Sequence, residues 1–368
     1  MKKYNSINER KKKDYFEWEK DANRKSDSTI DNIRKAIDRY EKFTKFDDFK
    51  KFHKNKAIAF KRHLTQIKSK RAGKSLSKAT ILSTLNHLKN FFIWLTREKG
   101  YKRIDINQIE YFNLTEKEAR IARAKSFRPN PSIEQIRAVL AAMPSDNEIS
   151  MRNRALIAFT ALTGIRDGAM ASLKLKHIHL NRELVEQKAD EVKTKFGKTI
   201  HTYFFPVGDD IKQIVIDWIN FLYQEKLFND NDPLFPRTKM ARDENFEFCS
   251  DGIEPVHWQS ANQIRQIFKE AFKLAGLDYF SPHSFRTTLG RMAEQVCQTP
   301  EDFKAWSQNL GHEQVLTTFT SYGQVSEYRQ GEIIGKLRNP DSKGNMDEEI
   351  NKKLDILIRN TVKNEKSP

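Results

Sequence analysis

The residues best suited to chemistry fall in one run, SPHSFRTTLGRMAEQVCQTPEDFKAWSQNLGHEQVLTTFTSYGQV, residues 281–325. Ser281 followed by Pro282 is a helix start, with Ser at the cap and Pro at the first helical position. His283 and Arg286 are three apart and share one face of the opening turns. A helix N-terminus attracts anions through its open N–H groups and its dipole. An imidazole and a guanidinium fork beside it make a seat for a phosphate. Thr299-Pro300-Glu301-Asp302 starts a second helix as a capping box with Asp in place of Glu, and Gly311 ends it. His312 follows directly. Tyr322, one short amphipathic segment later, carries the hydroxyl of greatest interest. Taken singly, a His near an Arg is usually structural and a Tyr near a chain end is usually core. Their order and spacing make them a set.

His-x-x-Arg, then Leu-Gly-His, then a Tyr about ten residues on resembles the signature of the tyrosine recombinase (phage integrase) family. That family also has an upstream Arg in a Thr-Gly-x-Arg turn, and LTGIRDGAMASLKLKHI supplies it at Arg166. The resemblance spans roughly residues 25–338. It implies a helical core-binding domain followed by a catalytic domain, closing on DNA as a two-domain clamp.

The chemistry is that of a protein hydroxyl attacking a phosphodiester in line. Charge spreads over the non-bridging oxygens, so fixed cations and donors stabilise the transition state. Arg166 and Arg286 are the candidates to grip those oxygens with paired hydrogen bonds. A phenol at its ordinary pKa of roughly 10 is a poor nucleophile at neutral pH. The two guanidiniums stabilise the phenolate, His283 accepts its proton, and His312 donates to a non-bridging oxygen. The departing sugar oxygen needs a proton. The resemblance points to a lysine on a strand-connecting hairpin, with Lys193 in the VKTK run the best match and Lys195 the second choice. Attack by Tyr322 would store the bond energy in a covalent 3′-phosphotyrosine beside a free 5′-hydroxyl. A second 5′-hydroxyl would reverse the step onto another strand. This needs neither metal nor nucleotide, and the sequence shows no metal-ligand cluster and no Walker-type loop. No cofactor is expected.

Two features depart from the family pattern. An acidic residue often stands three positions after the first Arg, where this chain has Ala169; either Asp167 takes over part of that role or the acidic buttress is absent. The interval from His312 to Tyr322 is one residue longer than usual, which keeps Tyr328 as a second candidate nucleophile.

The elements that must position these groups follow from pattern and composition. The chain of 368 residues is long enough for two domains. It carries 66 Lys and Arg against 49 Asp and Glu, a net charge of +17, with a pI near 9.6. That balance favours a polyanionic partner, nucleic acid being the commonest. Cys249 and Cys297 fit no metal spacing and no disulfide framework, as in a reducing cytosol. No run is long and apolar enough to span a membrane, and the basic start lacks an apolar signal region. The expectation is a soluble protein of the prokaryotic cytoplasm, associated with DNA.

Residues 1–24 form a charged arm, read either as a short helix or as a segment that orders on DNA. Residues 25–112 read as a helical core-binding domain. Helical periodicity runs through Ile33, Ile37 and Tyr40 into Phe43, Phe46 and Phe49, and again through Ile81, Leu85, Leu88, Phe92 and Leu95, with Ser77 as N-cap. Residues 50–97 hold thirteen Lys or Arg and no acid. Phosphates would neutralise such one-signed charge and release counterions. Lys61, Arg62, Lys68, Lys70, Arg71 and Lys74 are the candidate DNA contacts. Residues 113–130 read as a linker and 131–338 as a catalytic domain. The latter is mainly helical with a small antiparallel β-sheet, LVEQ and TIHTYFFPV being its strands. Residues 261–276 read as a helix burying Ile264, Ile267, Phe268, Ala271 and Phe272 and stopping at Gly276. Residues 339–368 are a tail with a weak amphipathic pattern at Ile350, Leu354 and Leu357.

The function implied is site-specific DNA integration or recombination. The expected partners are double-stranded recombination sites, a homotetramer on paired sites, and accessory DNA-bending proteins. A type IB topoisomerase would use similar groups but religate its own strand. A DNA-binding protein with an inactive site is the alternative outside enzymology, and a covalent-complex assay separates it.

Overall fold

The computed structural model describes residues 4–67, 73, 75–124, 129–195, 197–242, 246–312, 331 and 334. Tyr322, Tyr328, Lys68, Lys70, Arg71, Lys74 and residues 339–368 lie outside them. The chain divides into two compact units, residues 1–125 and 126–368. Among the described residues are thirteen α-helices and five strands, and no helix is long and apolar enough to cross a membrane.

The first unit is all helical. Its helices are α1 (Ser6–Glu17), α2 (Asp27–Phe43), α3 (Lys54–Gln66), α4 (Lys78–Leu95), α5 (Ile106–Ile109) and α6 (Glu116–Arg123). The apolar faces read from sequence are the core: Ile33, Ile37 and Tyr40 meet Ile81, Leu85, Leu88, Phe92 and Leu95, all buried. Ser77 caps α4 by accepting from the Thr80 amide. Of the two readings of residues 1–24, the structure has the helix. Tyr15 of α1 is buried in the core, and Lys12 reaches the buried Glu41 carboxylate at 2.6 Å. The periodicity expected to run on to Phe49 stops at Phe43. Lys45 and Phe46 both take positive φ, and Thr44 Oγ1 donates to the Tyr40 carbonyl, so the chain turns. Phe49 reaches the core from a separate 3₁₀ turn. Within the expected linker, α6 is a formed helix with a Thr115–Glu118 capping box.

The acid-free run 50–97 is partly neutralised from outside itself. Lys51 and Lys56 reach Asp47, Lys89 reaches Glu110 at 2.7 Å and Lys78 reaches Glu118 at 2.9 Å.

The second unit is built around α8 (Glu148–Thr163), which follows α7 (Ile133–Ala142) and is buried on nearly every side. After the short α9 (Asp167–Met170), strands β1 (Ile178–His179), β2 (Leu184–Gln187) and β3 (Ile200–Tyr203) form an antiparallel sheet in that order. Next come α10 (Asp209–Gln224), β4 (Arg237–Arg242), β5 (Phe248–Glu254), α11 (Asn262–Leu274), α12 (Pro282–Val296) and α13 (Pro300–Asn309). The fold is mainly helical with small antiparallel sheets. Two elements go beyond the sequence expectations, α10 and the separate hairpin β4–β5. On α11 the five residues expected inside are inside, and Gly276 takes φ 66°. Strand β3 is shorter than TIHTYFFPV suggests, because Phe205 turns inward and its amide donates to the Leu162 carbonyl at the end of α8.

Candidate active site

The site begins where α8 ends. Gly164 takes φ 60°, and a Cβ there would meet Leu289 Cδ1 at 2.8 Å. Backbone conformation and close packing both require glycine. The reversal sets Arg166, half-exposed, as the residue preceding α9, whose Ala169 and Met170 are buried behind it.

Arg286 of α12 organises what faces that turn. It is buried, and its Nη1 donates to the Gly164 carbonyl while Nη2 donates to the Leu310 carbonyl, both at 2.5 Å. Nη2 also lies 3.1 Å from His312 Nε2. A guanidinium only donates, so His312 Nε2 must accept, and the neutral ring carries its proton on Nδ1. Burial, and after it the charges of Arg286, Arg166 and His283, push the His312 pKa down to about 4. His312 therefore stays neutral at physiological pH, with Nδ1–H as the donor on its other ring nitrogen.

His312 is placed from a second direction by the start and end of α13. The expected capping box forms, with Thr299 Oγ1 accepting from the Asp302 amide at 3.1 Å and the Asp302 carboxylate accepting from the Thr299 amide at 2.9 Å. Trp306 Nε1 donates to the Leu289 carbonyl, tying α13 to α12. Asn309 extends the β3 ladder: its Oδ1 accepts from the Tyr203 amide at 2.6 Å and its Nδ2 donates to the Tyr203 carbonyl at 2.9 Å. Gly311, at φ 67°, then turns the chain into His312.

His283 lies on the opening turn of α12, with Ser281 at the cap position and Pro282 at the first helical one. The Ser281 side chain makes no capping bond, so it leaves the first-turn amides to other partners. Arg166, Asp167, Arg265 and His283 line a cavity of about 230 Å³ at this helix start. Asp167 accepts from Arg265 Nε at 2.8 Å and from the Gly168 amide. Its carboxylate thus serves Arg265, a cation 98 positions away that sequence alone did not single out.

The connection between β2 and β3 carries the three lysines. Its near end is fixed: Val192 is buried, and the Lys193 amide donates to Ser172 Oγ at 2.9 Å. Glu191 beside it lies 2.6 Å from Lys176 Nζ and 3.6 Å from Lys174 Nζ. Behind them His177 is buried, its Nδ1 accepting from the Lys174 amide and its Nε2 3.5 Å from Glu191, too far for a full hydrogen bond. The Lys193 side chain is exposed, as is that of Lys195. Lys198 lines a different cavity, of about 480 Å³, with Tyr203, Asn309 and His312. The structure thus brings Arg166, His283, Arg286 and His312 together and anchors the Lys193 backbone to the turn after α9.

In the first unit, Lys61 donates from Nζ to the Asn113 carbonyl at 2.8 Å, and burial lowers its pKa. Arg62 is exposed on α3. Among the described residues no group of three or more His, Cys, Asp or Glu side chains is placed to hold a metal ion.

Residues 132–329 match the model of the phage integrase family, more than half of the chain. The chain belongs to the phage integrase family. Its activity is that of a tyrosine recombinase, the cleavage and rejoining of DNA strands in site-specific recombination. Among similar proteins is the tyrosine recombinase XerC of Natranaerobius thermophilus, 23% identical over 326 residues, covering 88% of this integrase-family chain and 96% of that protein. Two solved structures share the fold. A lambda integrase dimer bound to a COC′ core site gives a TM-score of 0.59 at 15% identity, over 87% of this chain and 96% of that one. A lambda integrase tetramer bound to a Holliday junction gives 0.56 at 16% identity, over 88% and 78%.

Proposed function

We propose that this recombinase cuts one DNA strand with Tyr322, forming a 3′-phosphotyrosyl bond and releasing a 5′-hydroxyl. Arg166 and Arg286 stabilise the charge on the non-bridging oxygens, and His312 Nδ1–H donates to one of them. His283 takes the phenolic proton, and Lys193 returns a proton to the departing 5′ oxygen. The bond from phosphorus to that oxygen breaks as the bond to the tyrosine oxygen forms. The single observation carrying this reading is the Arg286 junction, which joins the turn before Arg166 to the carbonyl before His312 in one buried guanidinium. Such preorganised donors are worth most where charge develops in a water-poor site.

The partner in this reading is a double-stranded recombination site in the cytosol, paired with a second site by a homotetramer, with accessory DNA-bending proteins as further partners. Lambda integrase, alike in fold, forms a dimer on its core site and a tetramer on a Holliday junction, which supports the assembly. Lys61, Arg62, Lys68, Lys70, Arg71 and Lys74 supply phosphate contacts. The similar proteins are recombinases, which favours strand exchange over simple religation or binding alone.

The test is covalent capture on a nicked suicide substrate. Tyr322→Phe should bind DNA as wild type does and form no adduct, while Tyr328→Phe should form it normally. Adduct from Tyr322→Phe at the wild-type level would move the nucleophile elsewhere.

A further inference from the structure

A lysine acid has a positioning problem that the fixed end of the hairpin does not solve. The Lys193 amide is anchored on Ser172, but a flexible four-carbon stem separates that anchor from the ammonium. One side chain is tied to the same turn as that anchor. His257, half-buried in the loop after β5, places Nδ1 3.2 Å from the Ala171 carbonyl oxygen. A carbonyl only accepts, so Nδ1 carries the proton and Nε2 presents a lone pair. Ala171 and Ser172 are consecutive, so His257 and Lys193 hang from neighbouring residues of the same turn.

Two cations, Lys174 and Lys193, bear on that ring. Burial first, and then the charges of Lys174 and Lys193, lower the His257 pKa against the opposing bond to Ala171, which favours the neutral ring. The Lys174 ammonium already lies 3.6 Å from the Glu191 carboxylate. The Lys193 side chain has no ion pair among the described residues. Behind His257 the loop is firm: Trp258 is buried, with the Arg152 guanidinium 5.2 Å from its ring centre.

We infer that His257 is a positioning residue for Lys193, accepting a hydrogen bond from its ammonium at Nε2 and aiming it at the departing 5′ oxygen. The inference rests on the reading of Lys193 as the acid. A neutral imidazole suits the task better than a carboxylate, which would raise the lysine pKa and weaken it as an acid. When the bond from phosphorus to the 5′ oxygen breaks, one Lys193 proton passes to that oxygen. The amine left behind keeps two N–H groups, one of them for His257.

The experiment compares single-turnover cleavage of a normal suicide substrate with one whose bridging 5′ oxygen is replaced by sulfur, a leaving group that needs no proton. Wild type, Lys193→Ala, His257→Ala and His257→Gln are measured side by side. Lys193→Ala should lose about a hundredfold on the oxygen substrate, at the low end for a general acid, and recover on sulfur. His257→Ala should lose about tenfold on oxygen, as a misaimed acid would, and stay near wild type on sulfur. His257→Gln, which keeps an acceptor, should recover part of the loss and covers the case in which the alanine variant folds poorly. Equal losses for both His257 variants on the two substrates would make His257 structural, and wild-type rates on both would leave it without a role; either result overturns the inference. Failure of sulfur to rescue Lys193→Ala would instead remove Lys193 as the acid, and the positioning role with it.

Discussion

Arg286 and Lys193 are both cations assigned to one phosphodiester, yet the fold holds them in opposite ways. Arg286 is buried, its fork set against the carbonyls of Gly164 and Leu310 and against His312. Lys193 is exposed, and among the described residues it is its backbone that is tied down, through Ser172. In the proposed reaction, the donors that meet developing charge are thus in place before DNA arrives, which removes their reorganisation from the barrier. The group that moves a proton in that reaction keeps a flexible stem, steadied at its tip by His257, and loses the rest of its freedom on binding. The difference suits the two tasks: charge stabilisation rewards a fixed dipole, whereas delivering a proton requires reach.

The strongest test of this contrast is Arg286→Lys. A lysine keeps the charge but cannot span two carbonyls and an imidazole. Buried acceptors left unmatched cost about 1–3 kcal/mol each, so chemical denaturation should show a loss of roughly 2–4 kcal/mol. Cleavage should fall by about a hundredfold or more, as when one oxyanion donor is removed. Lys193→Ala should leave unfolding within about 0.5 kcal/mol of wild type, as surface changes do. Equal destabilisation by both substitutions would erase the distinction between a fixed and a mobile cation.

Sequence made the fixed side more legible than the mobile side, for a physical reason. Helix signals are local. Ser281-Pro282, the Thr299–Asp302 box and the glycines at 164 and 311 announce starts and stops within a few residues. The periodicity of 261–276 identified its buried face for the same reason. What stayed hidden depends on partners far along the chain. Asn309 completes the edge of β3, more than a hundred positions away, and nothing around it marks an asparagine for that use. Asp167, the nearest acid to Arg166 in sequence, takes as a partner Arg265, 98 positions away. The hairpin β4–β5 reads Arg-Thr-Lys-Met-Ala-Arg on one strand, with few β-branched residues, and leaves Phe248 exposed on the other. Counting charge along residues 50–97 likewise missed the acids at 47, 110 and 118 that fold back onto its lysines.

Acid should sharpen the contrast, because the fixed side contains a titrating group that must stay neutral. The ordinary histidine value is about 6.5, and that of His312 is pushed down to about 4. Between those values the unfolded chain takes up a proton that folded His312 refuses, so stability falls as pH is lowered through the window. Below it both states are protonated and this contribution levels off. His177 and His257 are shifted the same way, so a substitution is needed to isolate His312. His312→Gln keeps an acceptor for Arg286 but removes the titration. Between pH 7 and pH 4.5 its melting temperature should drop less than that of wild type, by about 3 °C. Identical drops would mean that His312 is not the neutral acceptor of Arg286.

The smallest expected effect lies at the root of the mobile side. Glu191 holds Lys176 at 2.6 Å and Lys174 at 3.6 Å, two positions before the lysine proposed to reach the DNA. These contacts are partly open to solvent, where an ion pair contributes little to stability. Glu191→Gln should therefore unfold at the same denaturant concentration as wild type. Its effect belongs in the geometry of the hairpin. With the carboxylate gone, the lysines at 174 and 176 lose their common anchor, while the Lys193 backbone keeps its bond to Ser172. Cleavage of the normal substrate should slow about fivefold, well short of the hundredfold that gross misplacement of a catalytic group produces. The sulfur-leaving substrate should be cut at the wild-type rate, because the lost function is aim at the departing oxygen. A matching loss on the sulfur substrate would show that Glu191 supports the whole site, and the hairpin would then belong with Arg286 on the fixed side.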